Sequence, residues 1–489
     1  MYSPTLNEAA ALSSAYSFIP ISKTMYADIK TPIEVLKTLK SSSSHCYMLE
    51  SLEGANKQGR YTFLGYDPLL EFTCTNGSVR INAQIDINVD TSEPIRCIQQ
   101  ILDQYKSPRF NDLPSFTGGL VGYFSYDFIK YSEPSLKLNA NDDENFKDVD
   151  LMLFDKVIAF DHFKQQIILI VNISTDELKK NYEQALKELD HMTQLIKNGI
   201  DYNDQPLTIT SEFFPLFNKK SYCDMVEQAK KYIYEGDIFQ VVLSNRLEAE
   251  AQGSLLDTYR VLRTTNPSPY MFYFSGSDIE VAGASPETLV KLKDDTLYTF
   301  PLAGTRPRGE SDDEDLRLEK ELLSDPKELA EHNMLVDLGR NDIGKISKFG
   351  SVCVEKYLSV ERFSRVMHIG STVHGILRED KTALDAVAAI LPAGTLSGAP
   401  KLRACQIIDE LENNKRGIYG GAIGYIDFTG NMDTCIAIRI AYKKDGRLFV
   451  RSGAGIVADS VPEKEYQECI DKAYAVVNAL KISQGGIDE

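Results

Sequence analysis

The stretch AIGYIDFTGNMDTCIAIRIAY, residues 422–442, decides the fold class. Apolar and β-branched residues run through 423–425 and 435–442, and Thr429 with Gly430 punctuates them as a turn. So short a turn joins adjacent antiparallel strands, because parallel neighbours need a long crossover. The stretch therefore predicts an antiparallel α+β layer arrangement, not a doubly wound parallel sheet. Arg439 stands inside its second apolar run. A guanidinium in an apolar strand is costly unless an anion pairs with it, so Arg439 is the least ordinary residue of the segment.

Just downstream, RSGAGIVADS (451–460) matches G-x-G-x-x-A through Gly453, Gly455 and Ala458. A dinucleotide site needs a helix to open inside that loop, yet Pro462 follows and the helix is predicted to begin only near Glu463. The dinucleotide reading is rejected. The same glycines can still present backbone N–H groups to a carboxylate. Neither a Walker sequence nor a G-x-S-x-G elbow is present.

Two Glu-x-x-Glu pairs, Glu328/Glu331 and Glu465/Glu468, fall in predicted helices. A spacing of three puts both carboxylates of a pair on one helical face. Alone, each pair reads as a solvated face with local ion pairs. Brought together, the two faces make a four-carboxylate pocket of hard oxygen ligands, which suits Mg²⁺. Other segments are unusual in type. PLAGTRPRG (301–309) sets Gly304 and Thr305 between prolines and arginines; its plain reading is a rigid surface loop. His368 alternates with apolar neighbours in RVMHIGSTVHG, where a satisfied core histidine is the commoner outcome. GTLSGAPK (394–401) reads as a turn before a helix, and IYGGAIGYID contributes Tyr419.

The whole chain has 489 residues and a net charge of −18, with 43% apolar and 25% charged residues. That length suits two or three domains with their own cores. The acidic balance argues against nucleic acid or anionic membrane as a partner, and an anionic substrate would need local positive groups or a metal. The eight cysteines are scattered, without zinc spacing, and read as reduced thiols of a cytoplasmic protein. The N-terminus lacks a basic n-region and a long apolar h-region, so no signal peptide is expected. The longest apolar run, residues 167–171, is too short to span a bilayer. Tryptophan is absent.

Residues 1–200 are strand-rich and are expected to form one region. Two apolar stretches, 151–160 and 166–171, read as a hairpin around polar 161–164. A helix is expected from about Ser174, with Glu177 completing a capping box. Leu178, Tyr182, Ala185, Leu186, Leu189, Met192 and Ile196 follow helical spacing. Residues 201–216 carry no sustained period and read as a linker. Residues 217–489 form the second region.

PLAGTRPRG, DPKELAEHNMLVDLGRND (325–342), GTLSGAPK, IYGGAIG and RSGAGIVADSVPEKEYQE, in that order, resemble the chorismate-utilising enzymes. The resemblance is dense over roughly residues 220–480 and thinner before that. It implies antiparallel sheets packed as a central sandwich with helices outside. It also implies Mg²⁺ held by Glu331 and Glu468 with Glu328 and Glu465 beside them. Glu328 matches the residue that protonates the leaving 4-hydroxyl. Gly304, Thr305, Thr395, Tyr419, Arg439, Gly453, Ala454, Gly455 and Lys472 match positions around the substrate, Lys472 and His368 with catalytic parts; His368 matches a residue implicated in pyruvate elimination. Leu49-Glu50-Ser51 and NPSPYM (Asn266, Pro267, Ser268, Pro269, Tyr270, Met271) resemble the tryptophan-feedback site of the anthranilate synthase component I branch. Ala303 stands where aminodeoxychorismate synthases commonly carry a lysine, which favours direct amination by ammonia. No appended amidotransferase domain is seen, so ammonia is expected from a separate subunit. The alternatives are an aminodeoxychorismate branch member and a non-catalytic tryptophan-binding homologue.

Overall fold

The computed structural model describes residues 2–51, 58–83, 85–200, 205–363 and 366–487. Two antiparallel sheets, of 14 and 12 strands, make the body of these residues. Aromatic and aliphatic side chains of both sheets meet in one inner core. The Tyr47 and Phe154 rings, one from each sheet, are 4.7 Å apart, and Phe63 and Tyr425 are 6.0 Å apart. Helices cover the outer faces. Pro32–Ser42, Leu178–Asn198, Leu256–Thr265 and Pro462–Ser483 pack on the larger sheet. Pro94–Gln104, Pro326–Gly344 and Ala383–Ile390 pack on the smaller.

Because both faces are covered, the inner strands are apolar on both sides. In Lys156–Asp161, Val157 and Ala159 enter the inner core while Ile158 and Phe160 face the helices. The alternation of apolar and polar residues that marks a strand with one solvated face is therefore missing from these runs.

The two sequence regions share both sheets. Strand Cys46–Glu50 pairs with Tyr270–Ser275 in the larger sheet, and Gly119–Phe124 pairs with Ala422–Asp427 in the smaller. Residues 201–204 of the expected linker lie outside the described residues; after them Thr208–Ile209 and Phe214–Pro215 pair with Gln240–Gln252.

The chain also passes from sheet to sheet. It crosses between Tyr61–Tyr66 and Leu70–Thr75, Val149–Phe154 and Lys156–Asp161, Ile279–Ser285 and Thr288–Lys293, and Met432–Ile436 and Ile440–Lys444. This corrects two expectations. The run 151–160 is two strands in different sheets, broken at Asp155, so the hairpin with Gln166–Ser174 uses only Lys156–Asp161. The run 435–442 is likewise split: Ala422–Asp427 pairs with Met432–Ile436 as expected, but Ile440–Lys444 belongs to the other sheet. Arg439 stands in the break, exposed, with a positive φ of 52°. The expected burial cost of its guanidinium therefore does not arise.

Helix Leu178–Asn198 buries Tyr182, Ala185, Leu189, Met192 and Ile196, as its period requires. Its start differs from the expected capping box. Glu177 is itself the N-cap, in a left-handed conformation without a side-chain cap, while the Ser174 hydroxyl accepts from the N–H of Asp176 in a turn.

Glycines set the approach of strands at the sheet centre. Gly122, with φ 152°, pairs with Gly424, and a Cβ at Gly122 would sit 2.0 Å from the Asp150 carbonyl oxygen. Gly122→Ala should cost about 3 kcal/mol of stability, since backbone and not a movable side chain occupies the space. A fall in the urea midpoint at unchanged m-value checks this.

Candidate active site

Two crossings lie side by side and bring Glu287 and Arg439 together. The Ser285 hydroxyl donates to the Ile436 carbonyl (2.7 Å), the Ile436 N–H to the Glu287 carbonyl (2.9 Å), and the Ala284 N–H to the Arg439 carbonyl (3.2 Å). The Glu287 carboxylate accepts from Thr395 Oγ1 at 3.0 Å. Burial pushes its carboxyl up to about 7, against the opposing pull of the Thr395 hydroxyl, Arg439 and Lys472. Glu287 escaped the sequence reading. Its one signal is a carboxylate behind a proline (Pro286) within an otherwise uncharged segment.

Lys472, on helix Pro462–Ser483, joins this corner to the carboxylates. Its ammonium donates to the Gly453 carbonyl (3.2 Å) and pairs with Glu468 (2.7 Å). Gly453 and Gly455 lie on strand Arg447–Ile456, with Ala454 between them. A Cβ at Gly453 would stand 3.1 Å from the Tyr419 hydroxyl, so that buried phenol faces the same spot. No helix opens inside 451–460: the start expected near Glu463 falls at Pro462, and Gly453 and Gly455 lie on the strand itself instead of in a loop after it.

Helix Pro326–Gly344 starts as expected, because the Asp325 carboxylate accepts from the N–H groups of Lys327 (3.0 Å) and Glu328 (3.4 Å). Arg306 holds that end, bonded to Asp325 (3.0 Å) and 3.5 Å from Glu328. Residues 301–309 are not a plain loop. Leu302–Pro307 is a strand against Val366–Ile376, with a register shift between Ala303 and Arg306. Gly304 occupies the shift with φ 66°, and a Cβ there would be 3.1 Å from a Glu328 oxygen. The bulge aims its backbone at His368, whose Nδ1 is 2.8 Å from the Gly304 carbonyl and 3.1 Å from Thr305 Oγ1. A carbonyl oxygen can only accept, so Nδ1 carries a proton, and in the neutral ring Nε2 is then the acceptor nitrogen. His368 is half-buried, between the buried Met367 and Ile369.

The carboxylate pairs of the two helices feel each other. Burial and the negative charges of Glu328 and Glu468 raise the Glu331 carboxyl; burial and Glu468 raise that of Glu465. A hard divalent cation would relieve this repulsion, so the donor set fits one. The carboxylates are not drawn in around a point: among the described residues no three acidic, His or Cys side chains stand close enough to hold a cation as placed.

The regulatory candidates meet elsewhere between the sheets. Met271 pairs with Glu50 across adjacent strands. Glu50, Ser51, Pro269, Tyr270 and Met271 line a cavity of about 1190 Å³. Asn266, Pro267 and Ser268 are outside its lining. Glu50 is committed to Arg263 (3.0 Å) and Tyr259 (2.5 Å), so it braces the wall instead of offering charge. The buried Ser51 hydroxyl has no partner among the described residues. Tyr270 connects this cavity to the other corner. Its phenol donates to Asp433 and accepts from Thr288, the neighbour of Glu287, each at 2.8 Å.

Residues 44–478 match the family of chorismate binding enzymes, and the chain belongs to it. It is 45% identical to anthranilate synthase component 1 of Acetivibrio thermocellus, over 98% of this chain and 99% of that protein. The component 1 of Aquifex aeolicus is 43% identical, over 99% of each. The crystal structure of anthranilate synthase component I from Streptococcus pneumoniae superposes with a TM-score of 0.74 at 39% identity, covering 92% of this chain and 98% of that one. The menaquinone-specific isochorismate synthase of Escherichia coli, at 19% identity and a TM-score of 0.69 over 97% of this chain and 98% of its own, shares the fold. The antiparallel sandwich with outer helices is thus the family fold.

Thr395→Val should raise the Glu287 carboxyl by about one pH unit, since the hydroxyl stabilises the charged form. Carbon-13 NMR titration of labelled glutamates, with Glu287→Gln as the assignment control, reads the change.

Proposed function

We propose that the chain is the chorismate-aminating component of an anthranilate synthase, a lyase that forms anthranilate and pyruvate from chorismate and ammonia. The observation that carries the reading is one corner in which Thr395 bonds Glu287, the Lys472 charge acts on the Glu287 carboxyl, and Lys472 in turn bonds the Gly453 carbonyl and Glu468. Near-full-length similarity to component 1 proteins supports it.

Chorismate is a dianion. Arg439, Lys472 and the backbone around Gly453–Gly455 supply positive and N–H groups for its carboxylates. Glu287 is the better proton donor to the departing hydroxyl. Its carboxyl is half protonated near neutral pH, whereas Glu328 is paired with Arg306 beside the Gly304 bulge. His368, with Nε2 as acceptor, takes a ring proton as pyruvate is eliminated. Gly304 and Thr305 hold the imidazole in that tautomer. Glu331 and Glu468, with Glu328 and Glu465 beside them, would hold Mg²⁺, which supplies charge neutralisation at a substrate carboxylate.

Ammonia comes from a separate glutamine amidotransferase, in keeping with the component 1 naming of the relatives. The eight cysteines are all free thiols, which suits the reducing cytoplasm. No helix among the described residues is long and apolar enough to cross a membrane.

The chain with chorismate, Mg²⁺ and ammonium should produce anthranilate fluorescence, and glutamine alone should not replace ammonium. A proton donor acts only while protonated, so the Glu287-dependent rate should fall as pH rises through about 7. Glu287→Gln should lower kcat about 100-fold or more and erase that limb. An unchanged pH profile in the variant would return the donor role to Glu328. Glu331→Gln should weaken Mg²⁺ activation about tenfold or more.

L-Tryptophan is the proposed feedback inhibitor, bound in the cavity lined by Ser51 and Pro269–Met271 and acting on Glu287 through Tyr270 and Thr288. Inhibition requires tryptophan to favour one arrangement of that linkage over the other. Ser51→Phe should abolish tryptophan binding in isothermal titration while uninhibited turnover stays within about twofold. Absence of binding to the wild-type chain would remove the regulatory reading alone.

A further inference from the structure

Glu412, Arg416 and Arg451 form a cluster no more than 2% exposed, and no step assigned above uses it. Arg416 donates to Glu412 through Nε (3.0 Å) and Nη2 (2.5 Å). It also reaches two backbone oxygens, Leu396 through Nη1 (2.6 Å) and Val242 through Nη2 (2.7 Å). Arg451 donates to Glu412 Oε2 (2.8 Å), the oxygen that also accepts from Arg416 Nε, to Ser244 (2.8 Å) and to Asn414 (2.9 Å). Burying charges is costly, and apolar replacements of such clusters are often no less stable. Stability is therefore a weak reason for three buried ions.

Their connections give a better one. Leu396 directly follows Thr395, the hydroxyl on Glu287. Arg451 shares a strand face with Gly453, two residues on. The Tyr419 ring is 5.9 Å from the Arg416 guanidinium, and the Tyr419 N–H donates to the Arg416 carbonyl at 3.2 Å. One planar fork thus touches the segments that carry Thr395, Tyr419 and, through Glu412 and Arg451, Gly453. Two guanidiniums against one carboxylate leave a net charge of +1, desolvated and so poorly screened, in a chain of net charge −18.

We propose that Arg416 is a positioning residue for chorismate: it fixes Thr395 and Tyr419 and, with Arg451, biases the pocket toward the substrate dianion. The inference rests on the substrate reading above. A lysine keeps the charge but lacks the fork that reaches Glu412, Leu396 and Val242 together.

The test compares wild type, Arg416→Met and Arg416→Lys by circular dichroism, thermal melting and steady-state kinetics with chorismate and ammonium. A folded Arg416→Met should raise the chorismate KM about tenfold or more while leaving the ammonium KM within about twofold, and Arg416→Lys should recover part of the loss. A purely structural role would lower the active fraction, and hence kcat, at constant KM. An unchanged chorismate KM in folded Arg416→Met, or a loss confined to kcat, overturns the proposal. If Arg416→Met does not fold, Arg416→Lys decides by the same criterion, a raised or an unchanged chorismate KM. Absence of turnover by the wild-type chain would overturn the substrate reading itself, and this inference with it.

Discussion

The site depends on two sheet-to-sheet crossings being stitched together. Hydrogen bonds from Ser285 to Ile436, from Ile436 to Glu287 and from Ala284 to Arg439 join segments far apart in the chain, 151 residues in the Ser285–Ile436 case. Each crossing on its own would be a solvated kink. Together they satisfy each other's backbone groups and hold an acid and a guanidinium in one corner. The price of leaving sheet geometry is a positive φ at Arg439, and it falls at a residue of the proposed substrate site.

The second organising constraint is charge. An acidic chain that takes up a dianion must build its positive potential locally. In the proposed site Arg439 and Lys472 would provide it, backed by the buried excess of Arg416 and Arg451 over Glu412. The carboxylates of Glu331 and Glu465 work in the opposite sense, and their raised proton affinity records their burial and, after it, the repulsion. Cation binding and substrate binding would then each relieve what the other leaves unbalanced.

Local chemistry was legible wherever a short segment decides its own conformation. The helix through Tyr182, Ala185, Leu189, Met192 and Ile196 follows from period alone, and Asp325 with Pro326 marks a helix start without tertiary help. The Ser174 capping box failed because a serine–backbone turn competes for the same hydroxyl. The runs 151–160 and 435–442 each read as one strand because both faces of the sandwich are apolar. Composition then stays constant while the chain changes sheets, and no period marks the break.

The residues' sequence alone determined that antiparallel strands and Glu-bearing helices are present, and the ordered motifs tied them to the chorismate binding enzymes. It also grouped Glu50 and Ser51 with Asn266–Met271; strand pairing sets Met271 against Glu50, while Asn266, Pro267 and Ser268 stand outside the cavity lining. Only the tertiary structure decided that Glu287 is buried against Thr395, that Arg439 is exposed at a crossing, and that Glu50 is a bracing group. The physical reason is common to all three. A carboxyl's proton affinity, a guanidinium's desolvation and an acid's availability depend on what surrounds them in space, and those neighbours come from distant strands.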